Sequence, residues 1–439
     1  MIKRWLAVCV IAGAAIAMGA ALTPQEQALN EKSFEYVWTT IRDKYWDPSI
    51  GGLDWQAVHD ELKPKMQKAR TMAEARAVLE EMLGRLHLTH FEIIPEDSYW
   101  DVDGENLPRG DGETGLDIRV LDHQALVTQV DRGSAGEREG VRSGWEVVRA
   151  GKLPLAPAIR KVETVYSKSS LRELMLRNAV LSRMRGYPGD TLELEFRDGE
   201  GRSVIRKLRL DSPRGEYSKF GYLPGSYVWL NSEKLGGDTG YVRFNMFLDP
   251  AHLMPRFADA VKSCQECRGF ILDLRGNPGG IGAMAMGMAG WFVSKPGERL
   301  GTLYLRESKL NFSISPRPEV FTGPLAILVD GTSASTSEIL AGGLKDLGRA
   351  RIFGLPTAAA ALPSAIEKLP NGDGFQYAMA NYISEGGKPL EGLGVTPDVV
   401  TPLTRAALLA GKDPALDAAL EWIRTGKLQT REAARRGVP

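Results

Sequence analysis

Two turns rich in glycine and serine, each between an apolar segment and a helical pattern, constrain the fold of this chain most strongly. One turn, Gly331 to Ile339, lies between the apolar segment 325–329 and a helix predicted over 339–347. The other, 273–282, also follows an apolar segment and precedes a helical pattern. Short apolar runs of this kind are typical of strands buried on both faces of a sheet. Their alternation with helices predicts an α/β fold for this part of the chain.

The first turn contains a candidate nucleophile, Ser335. A serine at a strand-to-helix turn lies at the open end of a sheet, where the free N–H groups and the positive end of the helix can stabilise an oxyanion. Serine and threonine are also common helix N-caps, so the turn alone leaves both interpretations open.

The second turn supplies glycines whose N–H groups could approach a ligand closely. It lacks both the Gly-Lys-Ser/Thr ending of a P-loop and the Gly-x-Gly-x-x-Gly spacing of a dinucleotide site. These absences disfavour nucleotide binding and leave a turn without a ligand as the alternative.

Composition narrows the classes of partner. The chain has 439 residues, of which 43% are hydrophobic, which is enough for two or three domains. Its 55 Lys and Arg residues balance 55 Asp and Glu residues, which gives no electrostatic reason to expect nucleic acid or an anionic membrane as a partner. Cys264 and Cys267 lack the further ligands of a zinc site, and either a local disulfide or two free thiols fits them. We expect no metal and no organic cofactor.

The N-terminus has the three parts of a secretory signal peptide. Lys3 and Arg4 precede an apolar run from Trp5 to Met18, and small residues follow it. The run is too short for a comfortable transmembrane span, and no other segment is predicted to cross a membrane. The pattern predicts a signal peptide over 1–21 and a periplasmic or secreted protein, with an uncleaved N-terminal anchor as the alternative.

The rest of the chain divides by pattern into four regions. Apolar residues at helical spacing predict an N-terminal helical region over 22–105, and short alternating segments predict a β-rich domain over 106–213. The α/β pattern extends over 214–426, and a charged tail occupies 427–439.

The β-rich region resembles a bacterial PDZ domain. The resemblance rests on Gly133 to Val147, which is similar to the middle of such a domain, and on Arg185 to Thr191, which is similar to the turn into its last strands. A predicted helix over 171–184 would form one wall of its groove. The resemblance implies that a substrate C-terminus adds as a strand and is bound by the residues Gly115, Leu116, Asp117 and Ile118. A domain that only packs on the core is the alternative.

Four segments together resemble the tail-specific, or carboxy-terminal processing, serine peptidase family. They are Phe270 to Gly280, Ser333 to Ala341, Gly354 to Thr357 and Gly392 to Asp398. The resemblance implies a core of the Clp protease and crotonase type, protein or peptide substrates, and a nucleophile at Ser335. It also implies an oxyanion hole formed by the backbone N–H groups of Thr336 and of Gly279 or Gly280.

One position departs from that family. Members of the Ser/Lys kind carry a lysine base in a Gly-x-Pro-Thr-x-Gly-Lys-Gly run, and this chain has Ala360 at the position of the lysine. An alanine cannot take a proton. Either the protein is inactive or another side chain is the base.

A candidate base lies upstream, in the segment Leu86 to Pro95. This segment resembles the Ser-His segment of the tricorn core protease, in which a histidine is the general base and a neighbouring hydroxyl and a distant glutamate orient it. The resemblance implies these roles for His90, Thr89 and Glu391. Histidine is a base near neutral pH, and a carboxylate with a hydroxyl can hold its tautomer.

Several alternatives stay open from the sequence. His87 competes with His90, and Lys368 and Lys388 are rival bases if a Ser/Lys mechanism persists. The main interpretation is an exported serine endopeptidase that recognises substrate C-termini. The alternatives are a catalytically inactive PDZ adaptor on a peptidase-like scaffold and a crotonase-like enzyme that acts on acyl thioesters. The sequence does not determine the oligomeric state.

Overall fold

The computed structural model describes residues 21–96, 110–223 and 225–426. The predicted signal peptide up to residue 20 and the predicted tail 427–439 lie outside the described residues. Within those three ranges, no helix has the length and apolar character that a membrane crossing requires.

Three helices and a short strand begin the described chain: α1 (Pro24–Lys44), α2 (Trp55–Lys68), α3 (Met72–Gly84) and β1 (Glu92–Ile94). Each helix begins at a polar side chain that accepts a backbone hydrogen bond from the first turn, at Thr23, Asp54 and Thr71. The strand is a departure from the predicted helical region 22–105. Three residues are too few to show an alternating pattern, and the partner strand lies far along the chain.

An antiparallel sheet with its helices follows, and we call residues 110–211 the sheet unit. Its elements are β2 (Leu116–Leu121), β3 (Gln124–Val130), α4 (Ala135–Arg138), β4 (Glu146–Ala150), β5 (Leu153–Pro154), α5 (Ala156–Val165), α6 (Arg172–Leu181), β6 (Thr191–Arg197) and β7 (Ser203–Arg209). The strand order is β2-β3-β4-β6-β7, with β5 paired to β4, so β2 is an edge strand. The helix α5 was not predicted, and it buries a single side chain, Ile159.

The remaining elements are β8 (Glu216–Ser218), β9 (Ser226–Val228), β10 (Leu230–Leu235), β11 (Thr239–Phe244), α7 (Pro250–Lys262), β12 (Gly269–Asp273), α8 (Gly282–Ala289), β13 (Arg299–Leu305), β14 (Lys309–Ser313), β15 (Leu325–Val329), α9 (Thr336–Asp346), β16 (Arg351–Gly354), β17 (Ser364–Lys368), β18 (Gly374–Ala378), β19 (Ala380–Ser384), β20 (Val399–Val400), α10 (Arg405–Leu409) and α11 (Pro414–Thr425). The apolar segment 325–329 corresponds to β15, and the apolar segment that precedes the turn 273–282 corresponds to β12.

The central sheet has the order β10-β11-β12-β15-β16-β20, in which only the edge strand β10 is antiparallel to its neighbour. Alternate residues of its strands pack into two different cores: Leu272 and Ile327 lie with the helices α7 to α9, whereas Ile271 and Leu328 lie with α11. Burial on both faces explains the uninterrupted apolar runs in the sequence. The prediction of an α/β fold is confirmed.

The topology brings the two predicted turns together. Because β12 and β15 are adjacent and parallel, their carboxyl ends meet at one edge of the sheet, where α/β proteins commonly bind ligands. The N-terminal helices share a core with the hairpin β17–β18, through Leu369, Phe375 and Tyr377. The strand β1 also pairs with β18, which brings the segment after α3 to the same part of the molecule.

Candidate active site

The turn after β15 presents one serine. Every residue from 331 to 340 is buried except Ser335, which is partly exposed. Two neighbouring hydroxyls are already bonded, since Ser333 donates to the Leu274 carbonyl at 2.9 Å and Ser337 donates to the Asn277 carbonyl at 2.9 Å. Ser335 itself has φ 54° and ψ −117°, a backbone conformation that is costly for a residue with a side chain. Such strain is common at functional sites.

The glycine turn after β12 lies against this serine. A Cβ at Gly279 would lie 2.7 Å from the Ser335 Cβ, and its φ of 99° also favours glycine. The Thr336 hydroxyl donates to the Gly280 carbonyl at 2.8 Å, which fixes the start of α9 beside the glycine turn. The two turns therefore form one rigid surface around Ser335.

The two glycines are not equivalent as donors. Gly279 donates its N–H to the side chain of Asn277 at 3.0 Å. Within the described part of the chain, the N–H groups of Gly280 and Thr336 have no acceptor. The N–H at the first position of a helix is normally free in this way. Gly280 and Thr336 are thus the available donors of the predicted set.

The segment between α3 and β1 forms a second cluster. The Thr89 hydroxyl lies 2.7 Å from Nδ1 of His90 and donates to Oε2 of Glu391 at 2.9 Å. The Thr89 N–H also donates to Oε1 of Glu391 at 2.9 Å. The structure therefore brings together the three residues predicted for the base, and His90 has a positive φ of 61°.

Burial shifts both titratable groups of this cluster toward their neutral forms. Desolvation lowers the pKa of His90 to about 4, so the imidazole is neutral near pH 7. Desolvation also raises the pKa of Glu391, and the hydrogen bonds from Thr89 and Ala361 offset this only in part. A neutral imidazole has a free lone pair, as a general base requires.

The alanine run 358–361 joins the two clusters. The Ala360 carbonyl accepts from the Ser335 N–H at 2.8 Å, and the next residue, Ala361, donates its N–H to Oε2 of Glu391 at 3.0 Å. The side chain of Ala360 lies in a small apolar group with Ala334 and Ala358, against Leu171. The position of the family's lysine is thus adjacent to the nucleophile and contains no titratable group here.

The rival bases are placed differently. His87, Lys368 and Lys388 are all exposed. A lysine usually becomes a base through desolvation of its amine, which an exposed position does not provide. None of the three forms a described contact with Ser335.

A carboxylate that the sequence analysis did not assign lies behind the nucleophile. Glu338 is fully buried. It accepts hydrogen bonds from the N–H groups of Ser335, Ala359 and Ala360 and from the Thr357 hydroxyl. Desolvation raises its pKa to about 7, although these hydrogen bonds oppose the shift. Its spacing from Ser335, Ser-x-x-Glu, is that of a capping box and could have drawn attention to it.

The residues predicted to bind a peptide lie on the edge strand β2. A groove of about 470 Å³ runs between β2 and α6 and reaches Gly276 and Pro278, beside the glycine turn. Gly115, Leu116 and Asp117 line it. Next to them, Ile118 is fully buried. Its N–H is not free to donate to a peptide, because it donates to Oδ1 of Asp117 at 3.0 Å.

Asp117 also connects the sheet unit to the core. It pairs with Arg119 and Arg177 of the sheet unit and with Arg243 of β11. Burial alone would raise the pKa of Asp117, but the three arginines outweigh it and hold the pKa well below its usual range. Arg119 continues the network to Asp330, at 2.8 Å, at the start of the turn that carries Ser335.

The two cysteines that the structure describes, Cys264 and Cys267, form a disulfide after α7. Among the residues that the structure describes, no group of three or more His, Cys, Asp or Glu side chains could hold a metal ion.

Two segments of the chain match known protein families. Residues 238–401 match peptidase family S41, and residues 27–84 match the tricorn protease C1 domain. The carboxyl-terminal-processing protease of Synechocystis sp. is 26% identical over 440 residues, covering 96% of this chain and 93% of that protein.

Two solved structures share the fold. The photosystem II D1 C-terminal processing protease has a TM-score of 0.55 at 21% identity and covers 90% of this chain and 99% of its own. Mature CPAF has a TM-score of 0.62 at 14% identity and covers 92% of this chain and 99% of its own.

Proposed function

Because this chain belongs to peptidase family S41 and is a serine-type peptidase of the carboxyl-terminal-processing kind, we propose that it hydrolyses peptide bonds through an acyl-enzyme on Ser335, with His90 as the base. The main support for this proposal is that the alanine run joins two groups of residues. The turn around Ser335 presents a single partly exposed serine beside two free N–H groups, and the cluster of Thr89, His90 and Glu391 holds a neutral histidine.

The hydrogen bonds of Thr89 select the tautomer of His90. A hydroxyl has one proton, and Thr89 donates it in a hydrogen bond to Glu391, so the Thr89 oxygen accepts a hydrogen bond from Nδ1–H of His90. The other ring nitrogen, Nε2, then carries the lone pair. In this tautomer Nε2 takes the proton of the Ser335 hydroxyl as Oγ attacks the carbonyl carbon of the substrate.

The proton that His90 takes from Ser335 is then used to complete the acylation step. The imidazolium donates it to the leaving amine as the C–N bond breaks, and a water then hydrolyses the ester with His90 again as the base. The Gly280 and Thr336 N–H groups are the proposed donors to the oxyanion, and Gly279 is the less suitable candidate because Asn277 already accepts its N–H.

Recognition of the substrate C-terminus is the finer part of the proposal. We assign to the sheet unit the role of a PDZ domain, with a peptide beside β2 and its carboxylate near Gly115 and Leu116. The groove between β2 and α6 supports this role because it leads toward the glycine turn. A strand added there must first release the Ile118 N–H from Asp117. We also propose that the protein is exported, on the basis of its N-terminal sequence.

The decisive experiment is reaction of the protein with a fluorophosphonate, followed by mapping of the adduct by mass spectrometry. We expect one adduct, on Ser335, and none in Ser335→Ala at an unchanged melting temperature. Failure of the folded wild-type protein to react would favour the inactive adaptor. An adduct on another serine would contradict the nucleophile assignment.

The recognition step is tested by the affinity of one peptide in two forms, with a free and with an amidated C-terminus. Removal of the terminal charge should weaken binding about tenfold or more, since hydrogen bonds to charged groups contribute about 1.5–3 kcal/mol. Equal affinities would show that the sheet unit does not read the carboxylate.

A further inference from the structure

Glu338 has no role in the proton transfers described above, and its surroundings are unusual for a buried carboxylate. Among the described residues, no cation forms an ion pair with Glu338, and all four of its hydrogen-bond donors are neutral. Three of them are backbone N–H groups. Burial of a carboxylate without a cation costs free energy, which these four hydrogen bonds offset. They also fix the local geometry around Glu338.

The two carboxylate oxygens divide the donors between them. Oε2 accepts from the Ser335 N–H at 3.0 Å and from the Ala360 N–H at 3.0 Å. Oε1 accepts from the Thr357 hydroxyl at 2.5 Å and from the Ala359 N–H at 2.9 Å. One side chain thus joins the nucleophile turn to the alanine run.

The same run is bonded to the carboxylate of the other cluster. Three successive N–H groups point to two glutamates: those of Ala359 and Ala360 go to Glu338, and that of Ala361 goes to Glu391. Glu391 in turn holds Thr89 beside His90. The geometry therefore connects the position of Ser335 with that of the base through a short stretch of backbone.

We infer that Glu338 is a positioning residue, which holds Ser335 in its positive-φ conformation and in register with the cluster of His90, through the backbone of the alanine run. This role rests on the proposed function of Ser335. The strained φ of 54° at Ser335 needs surrounding contacts to maintain it, and the Glu338 carboxylate binds the N–H of that very residue.

The test is Glu338→Gln, which keeps the shape of the side chain. An amide NH₂ group must then face an N–H donor at one of the two oxygen positions, so at least one hydrogen bond is lost and two donors face each other. We expect kcat and the rate of fluorophosphonate reaction at Ser335 to fall together by about 10–100-fold, with KM unchanged within about twofold.

A matched control is Asp373→Asn. Asp373 is also fully buried. It pairs with Arg76 and accepts the Glu96 N–H, and no hydrogen bond described for it involves a residue of either cluster. We expect this isosteric change to lower the melting temperature while kcat stays at the wild-type value. If both amide variants lower kcat in proportion to their loss of stability, Glu338 has only a structural role and the inference is wrong.

If Glu338→Gln does not fold, Thr357→Val takes its place, because it removes one donor to the carboxylate and preserves the shape. A lower kcat at unchanged KM is expected, and wild-type kcat would overturn the inference. If the wild-type protein and Glu338→Gln react with the fluorophosphonate at Ser335 at equal rates, only the positioning role is overturned. Absence of reaction at Ser335 in the wild-type protein overturns both this role and the proposed function.

Discussion

The nucleophile turn and the base segment are built in opposite ways. The turn around Ser335 lies between two adjacent elements, β15 and α9, and is enclosed by buried residues on both sides. The segment of Thr89 and His90 lies in a loop after α3, and its orientation depends on Glu391, which is 302 residues from Thr89 in the sequence. One part of the site is therefore local and the other is assembled from distant parts of the chain.

This difference indicates where the site should tolerate change. The nucleophile turn is supported by many backbone hydrogen bonds, so single substitutions around it should act through Ser335 itself or through stability. The base segment depends on two hydrogen bonds from Thr89 to a single carboxylate. Loss of that carboxylate should disturb the base while the nucleophile turn stays intact.

The largest expected effect in the base segment comes from His90→Ala. Loss of the general base should lower the rate of acylation by about 10²–10⁴-fold in a variant that keeps the fold. The measurement is the single-turnover rate with a chromogenic ester, alongside thermal unfolding.

Lys368→Ala and Lys388→Ala are the controls for this prediction, since both lysines are exposed. They should keep wild-type rates. The acylation rate of Glu391→Gln should lie between those of the controls and that of His90→Ala. We expect it to be lower than the wild-type rate by about tenfold or more, because the loss of the charge on Glu391 weakens the hydrogen bonds from Thr89. A wild-type rate in His90→Ala together with loss of activity in either lysine variant would show that the base is a lysine.

The smallest expected effect is a displacement of the pH profile. His90 must be neutral to act as a base, so activity should rise with pH through its pKa, which burial lowers to about 4. Glu338, whose pKa burial raises to about 7, would add its own transition near neutral pH. The profile is therefore best measured in Glu338→Gln, where that carboxyl group is absent.

In that variant we expect a single rise in acylation rate at a pH below about 6.5, the ordinary value for imidazole. Glu391 is joined to His90 through the Thr89 hydroxyl, so the transition belongs to the linked pair. A transition at or above the ordinary imidazole value would contradict a desolvated histidine base and favour an amine.

The difference between the two regions also explains how far the sequence could lead. The apolar run at β15, the turn after it and the start of α9 are consecutive, so hydrophobic pattern and turn composition are enough to predict them. The strand β1 was missed because its three residues pair with β18, and α5, which buries one side chain, was also missed. Thr89, His90 and Glu391 were predicted only through a resemblance, since no local pattern relates residues so far apart.

By itself, the sequence determined the α/β character of the catalytic part, the strand–turn–helix unit around Ser335 and the lack of a titratable side chain at Ala360. These depend on the order of residues and on the conformations that neighbouring residues adopt. The tertiary structure decided which donors are free beside Ser335, since Asn277 takes the N–H of Gly279 and leaves that of Gly280. It also decided the burial that makes His90 neutral and the enclosure of Glu338 by four donors. Desolvation and hydrogen-bond competition depend on every group that packs around an atom, and those groups come from parts of the chain that only folding brings together.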